Sequence, residues 1–306
     1  MNKVNFKWLG VVAILVAAVL WGLDGYIRTI LYSLPPLTII FAEHAIGTVI
    51  AVPLLIAFRK KLKPLSKNQK IAITVVALLS GVGGTLLFTA ALQQTQYIPF
   101  SVVFLLQQLE PFFAIAGAAI FLKEKLNKRF VVLAIAAIIG GYMVSFPNLT
   151  VNFATGAGTA IAALMAIGAA AAWGSSTAIS KYALKDTYWL QITGIRFGLA
   201  TLLSGLALLI FPAANAVNQI NSQQFNLLVG IAFSTGFVAL AFYYFGLQRV
   251  RASRTTILEL AFPLTAVIAG FLFFDQQALT ATQWLGAAIL TFASFQISRQ
   301  EAEDKA

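Results

Sequence analysis

Apolar runs of about twenty residues, the length an α-helix needs to cross a bilayer, recur ten times in this chain and limit its fold more than any single motif does. They lie near residues 8–31, 37–58, 71–93, 100–122, 130–147, 157–183, 188–211, 225–247, 254–274 and 283–298. The runs are too long for barrel strands and lack the alternation such strands need, so the spanning elements are helices. Charged residues make up 10% of the 306, against about 25% in a soluble domain. The sequence therefore predicts an all-α integral membrane protein. It contains no cysteine, which removes disulfides, thiolate chemistry and iron–sulfur clusters.

A formal net charge of +11 would suit nucleic acid or another anionic partner, but its placement gives it a different meaning. The segment 59–70, RKKLKPLSKNQK, carries six basic residues and no acidic one, and 123–129, KEKLNKR, carries four. Lys181 and Lys185, then Arg249, Arg251 and Arg254, then Arg299 and Lys305 follow at every second connection, and Lys3 and Lys7 precede the first run. The alternate connections, near 32–36, 94–99, 148–156, 212–224 and 275–282, contain no Lys or Arg. Of the 21 basic residues, 19 fall on the side of the basic segments, Lys181 and Arg254 at the ends of runs, and the other two, Arg28 and Arg196, lie within runs. By the positive-inside rule the basic segments are cytoplasmic. Ten crossings is an even number, so both termini are expected in the cytoplasm. The charge is a topology signal, and no nucleic-acid partner is expected. Lys3 and Lys7 ahead of an apolar run look like the start of a signal peptide. That run passes twenty residues without a small-x-small site and a soluble domain after it, so the expectation is a first span.

The chain also contains itself twice. Trp21-Gly22 in AAVLWG recurs as Trp173-Gly174 in AAAAWG, 152 residues on. LEPFFAIAGAAIFL around Pro111 recurs as AFPLTAVIAGFLFF around Pro263 at the same offset, and AALQ ending at Gln93 matches FGLQ ending at Gln248 at an offset of 155. Each copy holds five runs. Five is odd, so the second copy crosses the membrane in the opposite sense to the first. That is the inverted-repeat plan of secondary transporters, which hold substrate near the midplane between the halves. The expected organisation is ten transmembrane helices as two inverted five-helix repeats, over 1–147 and 157–298, with a cytoplasmic tail from 299 to 306.

Trp-Gly in runs one and six, LEP within run four and FLKEKL at its end resemble the EamA family of the drug/metabolite transporter superfamily, over roughly residues 8–298. The resemblance implies gradient- or proton-driven movement of small metabolites across the inner (plasma) membrane, often of amino acids or related compounds and often outward. Two positions depart from the family pattern. Glu43-His44 stands in run two where a basic residue is common, while its counterpart in run seven remains as Arg196. Glu124, after run four, is matched in the second copy only by Asp275 or Gln276.

An ionisable side chain inside a bilayer costs about 2.5–3.5 kcal/mol on insertion scales, so it faces a cavity or another charge. Those inside the runs are Asp24, Arg28, Glu43, His44, Glu110, Arg196 and Glu259. Asp24 and Arg28, one turn apart, form an ion pair on one helix face or a site where Arg28 exchanges Asp24 for a ligand carboxylate. Trp21 shares that face and offers an aromatic wall. Glu110 lies roughly 15 Å into run four, beside Pro111, which interrupts the helix ladder, and one turn from Gln107. A carboxyl group at that depth is neutral, paired or hydrated, and exchange between proton and substrate would let it couple the two. Glu43 and His44 form a second titratable site nearer the outside.

The candidate substrate-binding residues are therefore Trp21, Asp24, Arg28, Gln107, Glu110, Trp173 and Tyr244. Glu110, Glu43 and His44 are the candidates for proton coupling, and Arg196 with Glu259 a structural or gating pair across the second copy. Ser175, Ser176 and Ser180 read as close-packing positions. GVGG at Gly81–Gly84 lies within a run and follows no strand, so a nucleotide loop is not expected. No Walker motif, metal-ligand cluster or Ser/His/Asp set occurs, so neither an enzyme, a metal site nor a cofactor is expected.

The expected partners are a small molecule, the lipid bilayer, and protons as candidate coupling ions. Charges of both signs suit a zwitterion, and amino-acid export by alternating access leads. The alternative is proton-coupled or facilitative uptake of an organic cation or nutrient, such as a choline-like amine or a nucleobase, with Glu110 as counter-charge and aromatic rings as a cation–π wall. Reporter fusions at residues 65 and 126 are expected to read cytoplasmic and those at 152 and 218 external. The opposite signal at either pair overturns the inverted topology.

Overall fold

The computed structural model describes residues 3–28, 31, 33–93, 106–107, 109–150, 159–273 and 279–303, and among these there is no strand. The first half contains α1 (Lys3–Arg28), α2 (Pro36–Ala57), α3 (Lys67–Gln93), α4 (Glu110–Phe121) and α5 (Lys128–Ser145). The second contains α6 (Thr159–Ala183), α7 (Trp189–Ile210), α8 (Ser222–Leu247), α9 in two pieces (Ala252–Glu259 and Ala261–Phe273) and α10 (Ala281–Glu303). Five of these, α2, α3, α6, α7 and α8, contain stretches long and apolar enough to cross a membrane. Shorter apolar stretches, Trp8–Asp24 and Glu110–Phe121, lie in α1 and α4. The start of run four, the connection 94–99, and Asp275 and Gln276 lie outside the described residues.

Outward faces of the helices are apolar. Val49, Ile120, Leu164, Leu209 and Phe292 are each more than half exposed, a surface suited to lipid rather than water.

Helices pack mainly across the halves. α5 lies along α10, α2 along α7, α4 along α6, and α1 along α8 and α9. The repeat is visible in the details of this packing. α3 starts with a capping box of Ser66 and Gln69, and α8 with one of Asn221 and Gln224. Both ends of the bundle are then tied by glutamines from equivalent places. Gln248 donates to the carbonyls of Leu184 and Thr187, both at 2.8 Å, and Gln93 to that of Leu34 at 3.1 Å. Gln69 donates to the Lys185 carbonyl at 2.7 Å, and Gln224 to Ser33 Oγ at 3.0 Å.

Two helices widen in their middles. α3 is π-helical over Ala77–Gly84 and α8 over Ala232–Val238. A π turn disturbs the i→i−4 ladder, and away from water a displaced carbonyl needs another donor. The Trp-Gly motifs supply it. Trp173 Nε1 donates to the Ser80 carbonyl at 3.1 Å, and Trp21 Nε1 to that of Thr235 at 2.9 Å. Each tryptophan thus serves the π segment of the other half.

The glycine that follows serves a second contact, letting α6 approach α4 and α1 approach α9 closely. A Cβ on Gly174 would lie 2.5 Å from the Glu110 carbonyl oxygen and 2.8 Å from Phe113 Cβ. One on Gly22 would lie 2.8 Å from the Phe262 carbonyl oxygen and 2.7 Å from Thr265 Cβ. Position 262 is the repeat equivalent of 110, and 265 that of 113.

A further tie joins the halves after α4. The Glu124 carboxylate accepts from the Ala252 and Ser253 amides at 2.9 and 3.1 Å and from Ser253 Oγ at 2.6 Å. It caps the first piece of α9, where a negative charge is favourable.

Overpacking a tight contact costs about 1–3 kcal/mol. Gly174→Ala is therefore expected to lower the unfolding midpoint of the detergent-solubilised protein. Gly198→Ala, where a Cβ meets nothing within 4 Å, should leave it unchanged. Equal midpoints would remove the close-approach account of the Trp-Gly motif.

Candidate functional site

Between the halves lies a cavity of about 240 Å³ whose wall draws on both repeats, from α1 to α9. Ligand pockets commonly measure about 300–1,000 Å³, so this one lies just below the small end of that range. Four of its aromatic residues form two equivalent pairs. Trp21 meets Tyr243 with ring centroids 5.2 Å apart, and Trp173 meets Phe88 at 5.1 Å. Tyr243 is the repeat equivalent of Phe88, at the offset of 155 that also relates the two glutamines.

The Asp24–Arg28 ion pair is present, but it has a third member. Arg28 Nε donates to Asp24 at 2.6 Å and Nη1 to Glu43 at 2.9 Å, while the Thr235 hydroxyl donates to the other Asp24 oxygen. The guanidinium is held between two carboxylates and is buried. Glu43 is therefore committed to Arg28, not grouped with His44 alone.

His44 is buried as well. Its Nδ1 meets the Ile40 carbonyl at 2.8 Å, and its ring lies 5.2 Å from that of Phe197. Gln107 donates to the Ala166 carbonyl at 3.3 Å and lines the cavity with Glu110 and Trp173.

Two expectations need correction. Arg196 does not pair with Glu259. It donates through Nη2 to Ser80 Oγ at 2.7 Å and through Nη1 to the Tyr244 hydroxyl at 3.0 Å. It reaches hydroxyls of α3 and α8 instead. Glu259 faces the Tyr243 hydroxyl and lies near enough to Glu110 for their charges to interact. Its Oε1 is buried with no hydrogen-bond partner among the described residues.

Tyr244 is not part of the cavity wall. It is fully buried and bonded to Ser180 at 3.1 Å and to Arg196, while Tyr243 takes the lining position. Consecutive helical residues point about 100° apart, so only one of the two can face inward. Ser176 and Ser180 line the cavity in addition to packing.

The residues that sequence reading missed centre on the π segments: Ser80, Thr235 and Gly236. A signal existed, since Ser80-Gly81 and Thr235-Gly236 stand 155 residues apart. The geometry repeats too. A Cβ on Gly236 would lie 3.4 Å from Glu43 Oε1, and one on Gly81 would lie 3.9 Å from Arg196 Nε. Equivalent glycines therefore face side chains of opposite charge.

Comparison with known proteins agrees with this architecture. The sequence matches the EamA-like transporter family over residues 8–146 and 160–299. It is 31% identical over 303 residues to the riboflavin transporter ImpX of Fusobacterium nucleatum, covering 95% of this chain and 97% of that one. An uncharacterized transporter of Archaeoglobus fulgidus is 32% identical over 271 residues, covering 86% and 88%. A solved crystal structure superposes with a TM-score of 0.76 at 16% identity, covering 98% of this chain and 99% of that one, which establishes the shared fold. This multi-pass, all-helical chain belongs to the EamA-like transporter family.

Proposed function

We propose that the chain is a secondary transporter of ten crossings, with both termini cytoplasmic, that carries a small planar heteroaromatic metabolite of the flavin kind through this cavity by alternating access. The observation that carries the reading is the two aromatic pairs on the cavity wall, Trp21 with Tyr243 and Trp173 with Phe88. A flat ring system can stack on such faces. The relative named as a riboflavin transporter supports the same substrate class.

Amino-acid export becomes the second reading. A zwitterion needs a cation to receive its carboxylate; Arg28 already holds two carboxylates of the protein, and Arg196 is engaged by the Ser80 and Tyr244 hydroxyls. Glu110 and Glu259 make no ion pair among the described residues, and they are the carboxyl groups proposed to carry the coupling proton. The transport direction then follows the gradient applied.

Proteoliposomes offered riboflavin, amino acids, choline-like amines and nucleobases, with and without a pH gradient, test the reading. Saturable riboflavin transport is expected. Amino-acid transport without it would restore the second reading. Stacking on one aromatic ring contributes about 1–3 kcal/mol. Phe88→Ala and Tyr243→Ala are each expected to weaken riboflavin binding about 5- to 150-fold. Glu110→Gln, fixed in the neutral state, is expected to exchange substrate weakly and lose the response to the pH gradient. Should it keep that response in full, the coupling role passes to Glu259 or another carboxyl group.

A further inference from the structure

Resting on the flavin reading, we propose that Glu43 Oε1 accepts a hydroxyl group of the substrate's side chain over the open surface of Gly236, and so selects a neutral polyol tail over a phosphorylated one. The aromatic pairs hold the ring, and this subsite reads what is attached to it.

The two oxygens of Glu43 are used differently. Oε2 accepts from Arg28 Nη1 at 2.9 Å in an ion pair. Oε1 accepts no hydrogen bond among the described residues, and unlike Glu259 Oε1 it is not closed off from the cavity space. Asp24, by contrast, has one oxygen on Arg28 Nε and the other on the Thr235 hydroxyl. The cluster around Arg28 is thus internally paired but keeps one open acceptor.

Gly236 keeps the approach to that acceptor clear. A Cβ built on Gly236 would lie 3.4 Å from Glu43 Oε1. The other two nearest atoms, at 3.2 and 3.8 Å, are the carbonyl oxygen and carbon of Ile231 in the same helix. No side chain but that of Glu43 is among the three. Both Gly236 and Glu43 line the cavity. The place adjoins the aromatic surface, because Trp21 Nε1 is bonded to the carbonyl of the preceding residue, Thr235, at 2.9 Å. A ring stacked at Trp21 and Tyr243 therefore has an open carboxylate oxygen beside it.

The chemistry of that oxygen decides what it takes. An ion-paired carboxylate only accepts. A hydroxyl can donate to it, and a hydrogen bond to a charged group contributes about 1.5–3 kcal/mol. A phosphate brings oxygens and negative charge to a cluster in which two carboxylates already share one guanidinium, and like charges placed together are unfavourable. The subsite therefore rewards the hydroxyl and rejects its phosphate ester.

The test uses the purified full chain and three probes: riboflavin with its ribityl tail, lumiflavin with a methyl group in place of that tail, and the terminal phosphate ester of riboflavin. Binding is read by quenching of flavin fluorescence, and folding of each variant by monodisperse gel filtration. The unmodified chain is expected to bind riboflavin about 10- to 150-fold more tightly than lumiflavin, the equivalent of one such hydrogen bond, and the phosphate ester more weakly than riboflavin. Gly236→Ala sets a methyl group in the approach to Oε1 and is expected to bring riboflavin down to the lumiflavin affinity. Glu43→Gln removes the negative charge and can turn an amide N–H to the cavity, and is expected to narrow the gap between riboflavin and its phosphate ester. Equal binding of riboflavin and lumiflavin by the unmodified chain overturns this inference and leaves the flavin reading intact. So does a full preference for riboflavin retained by folded Gly236→Ala or, where that variant does not fold, an unchanged gap to the phosphate ester in Glu43→Gln. Binding of none of the three probes overturns the flavin reading, and this inference with it.

Discussion

A carbonyl that leaves its helical ladder inside a membrane must be met by another donor, and the cavity of this protein is organised around two such meetings. The indole N–H groups of Trp173 and Trp21 answer the carbonyls of Ser80 and Thr235. Because the same rings form the cavity wall, the position of the aromatic surface and the state of the widened helices are one variable, not two. A shift in either π segment has to move a wall. The close approach at Gly22 and Gly174 packs the same two helices, α1 and α6, against α9 and α4 of the other half.

Charge in the cavity is handled by local neutralisation. Arg28 is held between Asp24 and Glu43, which leaves the three together with one excess negative charge when all are ionised. Arg196 donates to two hydroxyls, neutral acceptors that bring no opposite charge to it. Buried charges of this kind persist only where hydrogen bonds and partners offset their desolvation. The polarity of the cavity is therefore distributed unevenly: an ion-paired cluster around Arg28, and less saturated groups at Arg196 and, apart from it, at Glu259 and Glu110.

Much of the fold was legible because bilayer physics writes it large. Helical runs, the repeat and the cross-half Trp-Gly motif follow from length, charge placement and a constant offset. The site was legible in part. Trp21, Asp24, Arg28, Gln107, Glu110 and Trp173 all stand on the cavity wall, because ionisable or amphipathic groups in an apolar helix have few other places to go. The choice between Tyr243 and Tyr244 was not legible, and the reason is specific. Both follow the π segment Ala232–Val238, and a widened turn shifts the phase of every later residue relative to a regular 3.6-residue helix. The contact of Arg28 with Glu43 depends on how α1 and α2 are rotated against each other, which spacing within one helix does not encode. The expected Arg196–Glu259 pair failed for a similar reason. Opposite charge identified a candidate partner, but the hydroxyls of Ser80 and Tyr244 took the contact.

The opposite charges facing Gly81 and Gly236 bear on how such a chain could have arisen. Two identical half-length chains meeting head to tail would present the same side chain at both places, either two carboxylates or two guanidiniums. Joining the halves in one gene lifts that restriction, because each copy can then mutate alone. Here the first copy carries Glu43 and the second Arg196. Having diverged in sign, neither copy can replace the other. The duplication is preserved in the backbone and lost in the electrostatics, so the molecule is a heterodimer written as a single polypeptide.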